Sequence, residues 1–494
     1  VRNRDLSEVL ETERVWFQPG LDRLATLGTD PDPRISGFFS PGQPVHLGRA
    51  PGRLDVMGGI ADYSGAQVLE LPLDRSTLVL AQRQTAPRCD VVTRRASRWD
   101  RFGIELEVLL TGSLVEPGAL RGWFASRPQD RWAAYLVGVV QACLRAGNTS
   151  APALPGFRLL VDSAVPEGKG VASSAALEVA AMAAVTASCG ASMPPNRLAT
   201  VCQWVENHIV GAPCGIMDQM TSACGMQDRL LLLRCQPDVI EGQIQVPAGY
   251  RFYGIDSGIR HDVSAADYGT VRTAAFMGYR MIADTAGLTS RREAEEVRID
   301  DPLWHGYLAN IALLEYQSRF ETILPEKMAG GDFLARYGGI TDSATRVRPD
   351  RTYPVRHATT HPIGEQARVA RFIEILGKLP DHPALAAELG ALMYASHESY
   401  GCCGLGSSGT DRLVELVAAA GPKRGLYGAK ITGGGSGGTV AVFGRAGATG
   451  VVDEIAARYA RETSRECEVF DRSGPGAAET GVLTMQHLRN RWLP

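Results

Sequence analysis

The chain has 494 residues, 45% hydrophobic and 21% charged, with a formal net charge of −3. That is an ordinary globular composition, long enough for two or three domains at about 150 residues each. The small charge gives no field for nucleic acid or an anionic membrane, and no apolar run reaches the roughly 18 residues of a bilayer crossing.

Residues 1–44 read as an N-terminal extension, with an amphipathic helix around 5–15 and then a loop rich in Asp, Pro and Gly. Its opening, VRNRDLSEVLETERVW, is charged where a secretory signal would be apolar. From Val45, short apolar runs bounded by turn residues read as strands: PVHLGRAP, AQVLELPL and TLVLAQR. Apolar spacing over 130–146 predicts a helix. GFRLLVDSAVP reads as a strand, and SSAALEVAAMAAVTASCG as a helix of small residues stopped by Gly. NRLATVCQWVENHIVG and GIMDQMTSACG are two more helices, and YRFYGIDSG is a strand ending in a loop.

Beyond that point the chain is mostly helical, with strands expected at GLYGAKIT, GGTVAVFG and ECEVFDRS. Residues 285–365, rich in Arg, Asp and Pro, read as an insertion. The elements lack a steady βαβ rhythm, which predicts an α+β fold. The division expected is an N-terminal domain over 45–257 and a C-terminal domain over 258–494. The ten cysteines are scattered without a Cys-x-x-Cys pair, so the expectation is reduced thiols in a cytoplasmic protein.

Four stretches carry chemistry. In VPEGKGVASSAALEVA, Gly168 and Gly170 allow close backbone approach and a helix opens at Ser173 and Ser174. Free N–H groups at a helix start form a phosphate cradle; a turn with serine caps is the plainer alternative. In VENHIVGAPCGIMDQM, Glu206 and Asp218 flank a loop that can fold two helices together. One carboxylate could hold Mg²⁺ and the other accept a proton, the two tasks of phosphoryl transfer to a hydroxyl. In YGAKITGGGSGGTVAVF, the glycines from Gly433 lie between strands with no helix behind them, so they suit close backbone approach rather than a dinucleotide fold. In GRAPGRLDVMGGIADYSG, Arg53 offers a fixed charge for a phosphate or carboxylate, and Asp62 a short carboxylate for sugar hydroxyls. Arg260, His261 and Tyr268 fall near the expected domain junction.

In this order the motifs resemble the three-motif layout of the GHMP small-molecule kinases. PCGIMDQM and VRTAAFMGYRM narrow the resemblance to the galactokinase-like branch, and the long loop motifs look most like the kinase part of plant L-arabinokinases. The resemblance implies a two-domain fold with the active site between the domains. It implies an Mg²⁺- and ATP-dependent kinase acting on the anomeric hydroxyl of L-arabinose. Galactose, another sugar such as a uronic acid, and a non-catalytic sugar- and ATP-binding regulator are the alternatives. Asp218 then matches the catalytic aspartate and Arg53 the arginine beside the transferring group. Ser174 and Glu206 match metal ligands. Gly168, Lys169, Gly170, Ser173, Ser174, Gly433, Gly434 and Gly435 match ATP-site positions. Asp62, Gly215 and Tyr268 match sugar contacts. Gly59 and Ile60 stand where galactokinases carry a Glu and a His at the C6 end of the hexose. Those two polar groups would lose their partners beside a pentose, at about 1–3 kcal/mol each.

Overall fold

The apolar runs that begin at Val45 make the centre of the larger sheet: Val45–Met57 is buried at every position and pairs antiparallel with Gln67–Gln84. The structure is a computed structural model that describes the chain except residues 6–7, 10, 96–97, 110–113, 147–155, 261–265, 294–295, 489–490 and 494. Among the described residues this sheet has ten strands. Its main path runs Asn3–Arg4, Val482–Leu488, Val45–Met57, Gln67–Gln84, Gly156–Ser163, Arg88–Arg95, Arg98–Glu105. The long second strand also pairs, through Gln67–Glu70, with Arg229–Arg234. The register shifts between Pro51 and Arg53 and again between Asp55 and Met57. Proline has no N–H for the ladder, so a bulge is the expected accommodation, and bulges re-aim side chains. The backbone N–H of Arg53 accordingly bonds Val171 O at 3.0 Å, outside the sheet.

The helix Ser173–Ser188 packs on this sheet, with twelve of its residues buried and nearly all of them small. A second antiparallel sheet is ordered Leu426–Ile431, Thr439–Arg445, Tyr250–Asp256, Val469–Phe470. The helices Val355–Lys378, Ala386–Cys402, Ser408–Ala420 and Thr449–Thr463 belong to this half of the chain. Mixed sheets and helices give the expected α+β class. The region 285–365 holds the hairpin Ser290–Glu293 with Glu296–Ile299, and the helices Leu313–Arg319 and Gly330–Tyr337. Its aromatic residues Trp304, Phe320, Phe333 and Tyr353 bury in one cluster with the helix Ala266–Thr285.

The strands do not respect a division at residue 257. Tyr250–Asp256 pairs along its whole length with Thr439–Arg445, because Phe252 and Ile255 pack among residues of the second half. Val482–Leu488 returns to the first sheet beside Val45–Gly48, where Leu483 and Met485 bury against Val45 and Leu47. The N-terminal extension is part of the same cluster, through Phe17, Leu24 and Phe38. Its main helix is Gln18–Leu27; over 5–15 the described residues show only Glu11–Arg14 as α-helix. ECEVFDRS yields only the short strand Val469–Phe470. The ten cysteines are free thiols. No helix among the described residues is long and apolar enough to cross a membrane.

Candidate active site

The strand Gly156–Ser163 leads into a turn with Gly168 at φ +71°, Gly170 at φ +70° and Ala172 at φ +60°. The helix then starts at Ser173 with Ala172 as its N-cap, and no side chain caps it. The serines do not serve as caps. The N–H groups of the first turn are left to a ligand, at the positive end of the helix dipole. The turn is fixed from the other half of the chain: Thr439 Oγ1 donates to Lys169 O at 2.8 Å. A Cβ on Gly433 would fall 2.8 Å from Gly170 O, so the third motif gains from its glycines a close approach to this turn. The Lys169 ammonium is 2.6 Å from Asp256 and does not line the cleft.

Arg53 is 2% exposed. Its Nε and one terminal nitrogen donate to Asp218 Oδ1 at 2.9 and 2.6 Å, and the other donates to Gly170 O at 2.7 Å. One guanidinium thus ties the start of the helix Met217–Cys224 to the glycine turn. Behind it, Lys430 pairs with Asp55 at 2.7 Å, both fully buried.

Glu206 opens a π-helical turn, Glu206–Val210, where an unbroken α-helix was expected; such turns recur at functional sites. Its carboxylate accepts from Gln219 Nε2 at 2.7 Å and bonds the Ser174 hydroxyl. Burial pushes its carboxyl up to about 7 against the pull of Ser174. No group of three His, Cys, Asp or Glu suited to a metal occurs among the described residues. Mg²⁺ in phosphate-transfer sites takes one or two carboxylates plus substrate phosphates and water. The adjacent Ser174 and Glu206, beside a bare helix N-terminus, fit that pattern.

Asp62 opens the turn Asp62–Ser64 and is 4% exposed. A Cβ on Gly215 would sit 1.6 Å from Asp62 Oδ2, so only glycine fits against this carboxylate. Burial, with Asp218 adding to it, pushes the Asp62 carboxyl up to about 6. The Tyr268 ring meets Tyr63 edge-on at 5.8 Å. Arg272 holds the neighbouring loop by donating to Cys214 O at 2.8 Å, and it pairs with Asp342 at 2.8 Å. Asp342 lies in the 285–365 region, which therefore braces the site from behind.

Arg53, Asp62, Gly168, Gly170, Ser173, Ser174, Glu206, Gly215, Asp218, Tyr268, Gly433 and Gly434 all line one cleft of about 120 Å³. A larger groove of about 910 Å³, lined by Trp16, Asp74, Tyr250 and Arg472 among others, holds none of them.

Residues 134–226 match the GHMP kinases N-terminal domain and residues 382–461 the GHMP kinases C-terminal domain. A galactokinase of Chloroflexus aggregans is 30% identical over 434 residues, covering 85% of this chain and 90% of that protein. The chain belongs to the GHMP kinase family. Residues 37–83 of this GHMP kinase, including Arg53 and Asp62, match the galactokinase galactose-binding signature. An L-arabinokinase of Arabidopsis thaliana is 40% identical over 497 residues, 91% of this chain and 48% of that protein. The kinase therefore spans about half the length of that relative. A crystal structure of Lactococcus lactis galactokinase complexed with galactose aligns over 93% of this chain and 98% of its own, with TM-score 0.67 at 16% identity. That likeness shows a shared fold.

Four expected site residues of the kinase stand elsewhere. Lys169 is held by Asp256. A Cβ on Gly435 would meet Leu405 at 2.7 Å, so this glycine serves packing. A Cβ on Gly59 would fall 1.9 Å from the Tyr400 hydroxyl and 2.1 Å from Asp55 Oδ2. Ile60, 1% exposed, joins the cluster of Val271, Tyr400 and Leu405. Gly59 and Ile60 therefore form the back of the loop whose front is Asp62. Sequence reading missed Asp55, Glu70, Lys430, Arg272 and Asp342. The signal for the first two was an acid inside each of two apolar strands, where charge is seldom buried alone.

Proposed function

We propose that this GHMP kinase transfers the terminal phosphoryl group of ATP to the anomeric hydroxyl of L-arabinose. The observation that carries the reading is the convergence of Asp218, Arg53, Asp62 and the uncapped helix start on one cleft. Asp218 holds and accepts the proton of the attacking hydroxyl. Arg53 keeps that carboxylate against the phosphate turn and places a fixed cation beside the transferring group. Asp62, with Tyr268 and the Gly215 backbone, orients the sugar ring. Positioning and charge stabilisation suffice, and no covalent intermediate is required. Ser174 and Glu206 would hold Mg²⁺, which when bound supplies cationic charge on the phosphate oxygens.

Similarity to the Arabidopsis L-arabinokinase supports the pentose. Because Gly59 and Ile60 turn away from the cleft, the support they add is the lack of a polar anchor for a C6 hydroxymethyl, not an apolar wall. A galactokinase is the second reading, favoured by the galactose-binding signature over residues 37–83. The test is ADP release with purified protein and a sugar panel. L-arabinose is expected to exceed galactose in kcat/KM by about tenfold or more, the scale for one added or missing group. A preference for galactose would refute the assignment to a pentose.

A further inference from the structure

Glu70 lies in the long strand Gln67–Gln84, directly opposite Asp55 in the register of the first sheet. Both are fully buried, and like charges facing each other across strands repel. Asp55 has a cation of its own: Oδ2 takes the Lys430 ammonium at 2.7 Å and the Tyr400 hydroxyl at 3.3 Å, while Oδ1 is left without a partner. Neither oxygen of Glu70 has a hydrogen-bond partner. Its nearest cation is Arg53, whose Nε lies 3.2 Å from Oε2. The same Nε already donates to Asp218, and the terminal nitrogens of that guanidinium bond Asp218 and Gly170.

The charges around Glu70 balance without it. Arg53 and Asp55 face it from the strand Val45–Met57, Asp218 from the helix Met217–Cys224, and Lys430 from the strand Leu426–Ile431. Tyr400 and Cys235 are further titratable groups that feel its charge. Two cations and two anions are thus paired, and a fifth charge in this interior would be uncompensated. Burial, and then Asp55, hold the Glu70 carboxyl well above the usual carboxylate range.

We propose that Glu70 is a positioning residue for phosphoryl transfer: uncharged and protonated, it backs Arg53 and leaves the guanidinium charge to Asp218 and the cleft. An ionised Glu70 would compete for Nε and draw Arg53 back from Asp218. The inference rests on the roles proposed for Arg53 and Asp218.

Infrared difference spectra of parent minus E70Q at neutral pH are expected to show the carbonyl stretch of a carboxylic acid. E70A is expected to lower kcat about tenfold or more through a displaced Arg53, with E70Q recovering most of that loss. The parent is expected to lose kcat on the alkaline side as Glu70 ionises, and E70Q to carry activity to higher pH. A missing acid band, E70Q as impaired as E70A, or identical alkaline limbs would each overturn the proposal. Full kcat in R53K and D218N overturns the reading of that pair. An impaired pair beside an unrescued E70A overturns the role of Glu70 alone.

Discussion

The two ends of the cleft are built by different means. At the phosphate end, Gly168, Gly170 and Ala172 adopt positive φ within five consecutive residues, and the helix from Ser173 supplies its own N–H groups. At the sugar end, the loop that carries Asp62 is held by residues some three hundred positions away. His361 Nε2 donates to Gly59 O at 2.9 Å, and Glu365 Oε1 accepts from Gly58 N at 3.0 Å. Directly after those anchors Ile60 sits at φ +52°, a conformation that β-branched residues rarely take. Such strain, on the order of 1–3 kcal/mol, persists only where the surroundings over-determine it. The shape of the phosphate end is set by one short run of residues, which Thr439 and Arg53 then pin, whereas the sugar-end loop takes its shape from the packed molecule.

Asp218→Asn bridges the two ends and is expected to have the largest effect. kcat should fall by about 10²-fold or more, measured by ADP release, and the melting temperature should fall as well because buried Arg53 loses its charged partner. A near-parental kcat would remove Asp218 from the chemistry.

Gly170→Ala should separate the ends. Its φ of +70° disfavours a Cβ, which would also press on Thr432 O at 3.3 Å. At about 1–2 kcal/mol, KM for ATP is expected to rise about tenfold with KM for the sugar little changed. Equal rises in both would mean that the ends are not independent.

His361→Ala tests the other end. It leaves Gly59 O without its donor, so KM for the sugar is expected to rise about fivefold while KM for ATP holds; His361→Gln should restore part of the loss. Saturation curves for both substrates decide it.

The effect that is smallest at neutral pH is a pH dependence of stability. His361 donates through Nε2 to Gly59 O, and its Nδ1 lies 2.8 Å from the Ser399 hydroxyl, which serves a neutral ring as donor. Burial holds it down to about 4, against an ordinary value of 6.5. Between those values the unfolded chain binds the extra proton. Stability is therefore expected to fall as pH drops from 6.5 toward 4, by about 1.4 kcal/mol per unit at most. Melting curves of His361→Gln should show a shallower slope; parallel slopes would argue against a neutral clamp.

The same contrast explains what the sequence revealed. Arg53, the glycine turn, Glu206 and Asp218 sit in contiguous motifs whose chemistry is local, and the structure brings them to one cleft. The strands at Val45 and Gln67 and the small-residue helix follow from apolar runs and turn residues alone. The orientation of Gly59 and Ile60 depends on Tyr400, His361 and Glu365, so motif position suggested the cleft where packing put them behind it. Lys169 has the right position for a nucleotide phosphate, but Asp256, on a strand of the second sheet, takes its charge. The juxtaposition of Glu70 and Asp55 exists only once two strands are in register.

The strand Val482–Leu488 sets a constraint on biogenesis. It lies between Asn3–Arg4 and Val45–Met57, and Val45 pairs with Met485. At about 5–20 residues per second, a ribosome makes the partner of Val45 on the order of half a minute or more after Val45 itself. Until then the Val45–Gly48 edge of the larger sheet is an open template. The strand Val482–Leu488 acts as a latch that closes the sheet long after its first strands are made.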